Sequence, residues 1–259
     1  MDVPKYPVVL VHGLAAKTFP FLNAFGSIPR FLQEKGLKIY VPNHDGVGTI
    51  AGNARQLQAE IESICQTEGC EKVNLIAHSK GGLDARYMIC ALSMHPKVAS
   101  LTTLSTPHHG SRLSATLLQL PKWVLQPLEF LINCFFRLFG DREPDILSVA
   151  RELTDSAMET FNASVPNHPE VYYQSYSSQA SKENAFLVYI PYQISRHCEQ
   201  DETDGLVSVR SSRWGDYQGH IDGDLNHVQI ISLTGSKRKR QAVAEFYLQI
   251  ITQLRDMGF

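Results

Sequence analysis

Apolar positions fall into two kinds of run along this chain. Short, almost unbroken stretches have the length of buried strands: Pro7-Val8-Val9-Leu10-Val11, Leu37 to Val41, Val73-Asn74-Leu75-Ile76-Ala77, Leu101 to Leu104 and Val171 to Tyr176. Between them the period changes. Leu57, Ile61, Ile64 and Cys65 recur at helical spacing, Leu83, Tyr87 and Leu92 follow the third strand as far as Pro96, and Val243, Phe246, Tyr247, Ile250, Ile251 and Leu254 form one face of a last helix. Buried strands alternating with one-faced helices predict a mostly parallel sheet with helices on both sides.

The third strand runs straight into Ala77-His78-Ser79-Lys80-Gly81-Gly82 and then a helix. A serine hydroxyl is a poor nucleophile unless a tight strand-to-helix turn presents it to a base. Such a turn crowds the backbone, and Ala77 and Gly81 have the small side chains it needs, while Gly82 lets the helix approach the sheet. A serine that merely caps a helix is the bland alternative, and the flanking strand and helix weigh against it. The first strand ends in His12-Gly13-Leu14, where an oxyanion loop would stand. Two main-chain N–H groups, of Leu14 and Lys80, are the expected donors to a tetrahedral oxyanion. His12 is then expected to shape the loop, and the side chain of His78 to point away from the face that presents Ser79.

Four blocks together resemble the bacterial true lipases, the triacylglycerol lipases of the α/β-hydrolase superfamily. They are Val8 to Leu14, Ala77 to Tyr87, Ser105-Thr106-Pro107-His108-His109-Gly110-Ser111 and Asp204-Gly205-Leu206-Val207, with a weaker fifth at Asn226-His227, all in the family's order. The resemblance implies an α/β-hydrolase fold and the order nucleophile, acid, base. Asp204 matches the family block among the competing acids Asp201, Glu202, Asp216, Asp222 and Asp224. For the base, His227 follows the polar stretch Gly219 to Asn226 and leads into Val228-Gln229-Ile230-Ile231, with His220 and His197 as competitors. The expected triad is Ser79, His227 and Asp204. The family often holds a structural calcium, with an acid two positions after the base; here that position is Gln229, so no cofactor is expected, the alternative being a calcium held by the Gln229 amide oxygen with Asp222 or Asp224. His108 and His109 are adjacent, which does not make a zinc pair, and are expected to wall the acyl or alcohol pocket.

Alternation breaks once, between about residues 111 and 167. From Leu113 to Phe139 the only charges are Lys122, Glu129 and Arg137, yet Pro121 and Pro127 divide the stretch and leave it short of the ~20 residues of a membrane span. The chain reads as a single domain, 1–259, in which this segment is a helical cap (lid) over the site; a buried helical pair is the other reading. Trp123, Phe130, Phe135 and Phe136 are expected to line the cap or its interfacial face.

Composition adds limits. A chain of 259 residues with 43% hydrophobic residues suffices for one α/β core, and a net charge of -2 gives no general attraction to nucleic acid or anionic membrane. The run Lys237-Arg238-Lys239-Arg240 reads most simply as a solvated turn opening the last helix. The residues before the first strand contain no signal-peptide pattern, which suggests a cytoplasmic protein, although a mature secreted form would look the same. Five cysteines, Cys65, Cys70, Cys90, Cys134 and Cys198, have no close metal-type pairing. The expected activity is hydrolysis of lipid esters at a lipid–water interface. The alternatives are an acyltransferase using the same triad and a catalytically silent lipid-binding protein.

Overall fold

Successive residues of a strand face opposite sides of its sheet, so a strand buried at every position needs a helical layer on each side. Three strands meet that condition throughout: β1 (Val8–Val11), β3 (Val73–His78) and β4 (Val98–Leu104). With β2 (Ile39–Tyr40), β5 (Tyr172–Ser177) and β6 (Asp216–His220) they form a sheet in the order β2-β1-β3-β4-β5-β6, every neighbouring pair parallel. The computed structural model describes residues 3–18, 23–185, 188–189, 192–194 and 201–259.

The two layers divide the strand residues between them. Val8, Leu10, Ile76 and Leu104 pack on α1 (Ile28–Glu34) and on the last helix, α8 (Lys237–Asp256), through Val243, Tyr247, Ile250, Ile251 and Leu254. Val9, Val11, Leu75, Ala77 and Leu101 face the other way, onto α2 (Ile50–Glu68) and α3 (Gly81–Ala91). The predicted stripe Leu57, Ile61, Ile64 and Cys65 is buried in full. Strand β6 was not anticipated. Its residues alternate between exposed and half-buried, as befits an edge strand, and Asp-Tyr-Gln-Gly-His has no apolar run to announce it.

Residues 111–167 form four helices: α4 (Arg112–Leu117), α5 (Lys122–Leu138), α6 (Ile146–Glu152) and α7 (Asp155–Ser164). In α5, Leu125 and Phe136 are buried, whereas Trp123 (78% exposed), Phe130 (70%), Leu131 (67%) and Leu138 (85%) face outward. No helix among the described residues is long and apolar enough to cross a membrane. At the foot of the sheet the Lys5 N–H donates to the Phe259 carbonyl at 3.0 Å, and the Phe259 ring stacks on Tyr172 where β5 begins.

Candidate active site

In a parallel sheet the loops that leave the carboxyl ends of the strands share one edge, and functional groups gather there. Ser79 follows the last residue of β3 at φ +55, the left-handed region that a non-glycine residue enters only under constraint. The turn is held from both sides. The Ser79 N–H donates to the Leu104 carbonyl at 3.0 Å, and the Thr106 hydroxyl donates to the Ser79 carbonyl at 2.7 Å. The small neighbours are required by space. A Cβ on Gly13 would stand 2.5 Å from Ser79 Cβ, and one on Gly81 would collide with the His12 carbonyl.

The loop that follows β1, where the oxyanion donors are expected, is shaped by buried imidazoles. His12 and His44 stack with ring centroids 3.7 Å apart, the His12 Nδ1–H donates to the Gly13 carbonyl at 3.1 Å, and the His44 Nε2–H donates to the His12 carbonyl at 3.1 Å. Burial lowers the His12 pKa to about 4 and that of His44 well below the ordinary value, so both stay neutral. Among the described residues, neither the Leu14 N–H nor the Lys80 N–H has a hydrogen-bond acceptor. The Lys80 side chain turns away into the fold and binds Asp84 at 2.7 Å, while Asn53 donates to the other Asp84 oxygen at 3.1 Å. Burial still raises the Asp84 carboxyl to about 6.

Two loops bring Asp204 and His227 together. Asp204 is fully buried; its Oδ1 accepts from the N–H groups of Leu206 (3.0 Å) and Val207 (2.9 Å), and its Oδ2 accepts from His227 Nδ1 at 2.7 Å. The His227 N–H also donates to the Asp204 carbonyl at 2.9 Å, which ties the loops through backbone as well as side chain. With Nδ1 spent on the carboxylate, Nε2 is the ring's basic nitrogen. His78, expected to point away from the Ser79 face, instead packs against the His227 ring at 4.5 Å between centroids, and its buried position keeps it neutral.

The competitors are placed elsewhere. His220 Nδ1 bonds the Ser177 hydroxyl at 2.8 Å beside the edge strand, and Asp216 accepts from Tyr172 at 2.9 Å. Asp201 accepts from the N–H groups of Glu202 and Arg210, and Asp224 from Ser181 and Asn184. His197 and Cys198 lie outside the described residues.

His108 corrects a sequence expectation. It is fully buried, with Nδ1 accepting from Arg86 at 3.2 Å and Nε2 donating to Thr103 at 3.0 Å, so neither ring nitrogen is free for a substrate. Arg86 itself, missed by the sequence reading, is buried against the Trp214 ring at 3.6 Å and donates to Asn162 and the Val165 carbonyl. Burial without a carboxylate brings its pKa down to about 9. His109 is exposed and donates from Nε2 to the Arg213 carbonyl at 3.2 Å. Of the four aromatic residues assigned to the cap, Phe136 is inside and packs on Gly46, Phe135 is about half exposed, and Trp123 and Phe130 face solvent.

The residues at the family's calcium position do not fit that ion. The Gln229 amide oxygen accepts from Asn184 (2.7 Å) and the Asn226 N–H (3.1 Å), and its amide nitrogen donates to Asn184 at 3.0 Å. Lys239 donates to the Asp224 carbonyl at 2.7 Å, placing an ammonium where a cation site would need an open oxygen. Excess chelator is therefore expected to leave both activity and melting temperature almost unchanged. A drop that only calcium restores would contradict this fit.

A serine on a strained strand-to-helix turn at the carboxyl edge of a parallel sheet, next in the chain to a residue whose ring packs on a buried Asp–His pair, is the arrangement of a serine hydrolase of the α/β-hydrolase class. Residues 7–190 match the family model described as palmitoyl protein thioesterase. Triacylglycerol lipase 2 of Saccharomyces cerevisiae is 32% identical over 256 residues, covering 90% of this chain and 73% of that protein. A triacylglycerol lipase of Pseudarthrobacter phenanthrenivorans is 36% identical over 177 residues, 63% of this chain and 54% of its own length. The fold matches the crystal structure of Staphylococcus hyicus lipase with a TM-score of 0.75 at 16% identity, over 99% of this chain and 97% of that one. The chain belongs to the palmitoyl protein thioesterase family and, with it, to the lipases of the α/β-hydrolase superfamily.

Proposed function

We propose that this enzyme hydrolyses carboxylic esters of lipids, acylglycerols foremost, with Ser79 as nucleophile, His227 as base and Asp204 as the acid that orients it. The observation that carries the reading is the 2.7 Å bond to Asp204 from His227 Nδ1, in a ring packed on His78, the residue before a serine held at φ +55. In the first half-reaction Nε2 takes the Ser79 proton as Oγ attacks the ester carbonyl, then returns it to the departing alcohol. The Leu14 and Lys80 N–H groups, without acceptors among the described residues, receive the oxyanion; each such donor is worth on the order of 3 kcal/mol. Asp204 fixes the imidazole tautomer and stabilises its cation, and water then repeats the cycle on the acyl-enzyme. Labelling by an organophosphonate ester tests the assignment. A single adduct on Ser79, absent from Ser79→Ala, is expected, and an adduct on any other residue would overturn it.

The same triad opens thioesters, and the family model's description makes a palmitoyl thioester the second substrate to assay. Comparing kcat/KM for matched acyl esters and thioesters decides which bond the site prefers. Product analysis with competing alcohols separates hydrolysis from acyl transfer.

The cap reading of residues 111–167 belongs to this proposal. Asp141, just beyond α5, binds Lys17 at 2.8 Å and the Val47 N–H at 3.0 Å, and Asp45 accepts from the N–H groups of Arg142 and Glu143. These bonds fasten the far end of α5 to the oxyanion loop and its neighbour. The outward face of α5 would meet a lipid–water interface, where its apolar area is no longer in water. Trp123→Ser/Phe130→Ser is expected to lower action on emulsified triglyceride several-fold while barely changing hydrolysis of a short soluble ester. Each methylene added to the acyl chain contributes up to ~0.8 kcal/mol in a dry pocket, so longer esters should gain until the pocket ends. Equal loss on both substrates would make α5 plain structure.

A further inference from the structure

The first turn of α8 carries Lys237-Arg238-Lys239-Arg240 and no acid. Lys239 folds back onto the Asp224 carbonyl, but Lys237, Arg238 and Arg240 are exposed, and among the described residues none of the three has an ion-pair partner. Asp224, whose carboxylate accepts from Ser181 and Asn184, faces Lys239 and forms no ion pair with any of the three. The result is a local excess of positive charge on a chain whose net charge is -2.

Its position in the fold gives the patch a direction. Gly235, at the entry to α8, lies against Gln229, two residues beyond His227. The basic turn therefore stands at the carboxyl edge of the sheet, the edge that carries Ser79. α5 is at the same edge, since its Phe136 packs on Gly46 and Asp141 binds Lys17 of the oxyanion loop. The helix with the exposed apolar residues Trp123, Phe130, Leu131 and Leu138 and the basic turn thus both stand at the Ser79 edge.

We propose that the Lys237–Arg240 turn docks the protein on an anionic lipid surface and, together with the apolar face of α5, turns the Ser79 edge toward it. A lipid surface is the partner that answers both features, because apolar insertion and charge attraction are the two contributions that hold a peripheral protein on a membrane. A nucleic acid would use the cations alone and leave the apolar face in water. The proposal rests on the lipolytic reading only for what docking delivers, since vesicle binding is measured without turnover.

The test is cosedimentation with vesicles of phosphatidylcholine alone and of phosphatidylcholine mixed with phosphatidylglycerol, at several salt concentrations. The wild-type protein should bind the mixed vesicles more tightly, with an affinity that falls as salt rises. Each cation near an anionic surface contributes roughly a fivefold factor, so Lys237→Ser/Arg238→Ser/Arg240→Ser should weaken binding to mixed vesicles on the order of 100-fold. Binding to phosphatidylcholine and hydrolysis of a soluble short ester should be unchanged, and Arg238→Lys/Arg240→Lys should bind as the parent does. The triple variant should melt no lower than the parent, because cations in the first turn oppose the helix dipole. Equal wild-type binding to both vesicle types, absence of salt dependence, or a folded triple variant that binds like the parent would overturn the proposal. Retention on immobilised heparin without binding to anionic vesicles would overturn it too, in favour of a polyanionic partner. If the triple variant fails to fold, the lipid and salt comparisons on the wild type decide alone.

Discussion

Ser79→Ala and His227→Ala are each expected to lower turnover on a soluble ester by at least about 10⁴-fold, and Asp204→Asn by about 10⁴-fold. The reason lies in shared work. Once Oγ is gone the base has no proton to take, and once the base is gone Oγ attacks as a neutral hydroxyl. The Ser79→Ala/His227→Ala double variant should therefore be no slower than either single one, where independent contributions would multiply. Asp204→Asn keeps the shape but offers an amide to Nδ1, which permits the wrong tautomer of His227. His220→Ala should retain near-full activity, since its ring is bonded to Ser177. An inactive His220→Ala beside an active His227→Ala would reassign the base.

The second large effect is loss of stability on mild acidification. His12, His44, His78 and His108 are buried and held neutral, His12 with a pKa of about 4 and the other three well below the ordinary value of 6.5. In the unfolded chain each protonates near 6.5, so between there and the folded value the unfolded state binds more protons. The contribution of each is complete above pH 6.5 and falls by up to ~1.4 kcal/mol per pH unit below it. Asp84, raised to about 6, and Glu152, also raised by burial, have the opposite sign: as pH falls they take up protons in the folded state first. Four groups against two leave a net loss on the order of several kcal/mol by pH 5, comparable with the whole stability of a domain. Thermal melts from pH 7.5 to pH 5 should fall by roughly 10–20 °C, and His108→Gln should make the fall shallower. A flat profile would mean that these rings are not held neutral.

What the sequence revealed and what it hid follow one distinction. Features written in contiguous residues were legible: the buried strands, the stripe of α2, the glycines crowding Ser79, and the blocks holding Asp204 and His227. Hidden were contacts between residues far apart in the chain. Lys17 and Asp141 form a buried ion pair across 124 positions, and nothing local to either predicts the other. Arg86 looked like an ordinary helix residue, because its burial depends on Trp214 and Asn162 arriving from later segments. The same absence misplaced His108, which its motif put near the substrate and which Arg86 draws into the core. β6 escaped because an edge strand needs only its backbone and one neighbour, leaving its side chains free to be polar.

The meeting of Lys5 and Phe259 at the foot of the sheet bears on how the protein can be handled. Lys5 and Phe259 stand beside the start of β5, opposite the edge where Ser79, His227 and α5 stand. A tether on either end would fix the molecule to a bead or chip by its blunt side and leave the hydrolytic edge facing the solution. Because Lys5 and Phe259 lie within a hydrogen bond of each other, a short glycine-rich bridge between them could close residues 5–259 into a ring. New termini opened at an exposed surface turn would then test whether the order of segments, as distinct from their packing, matters to folding.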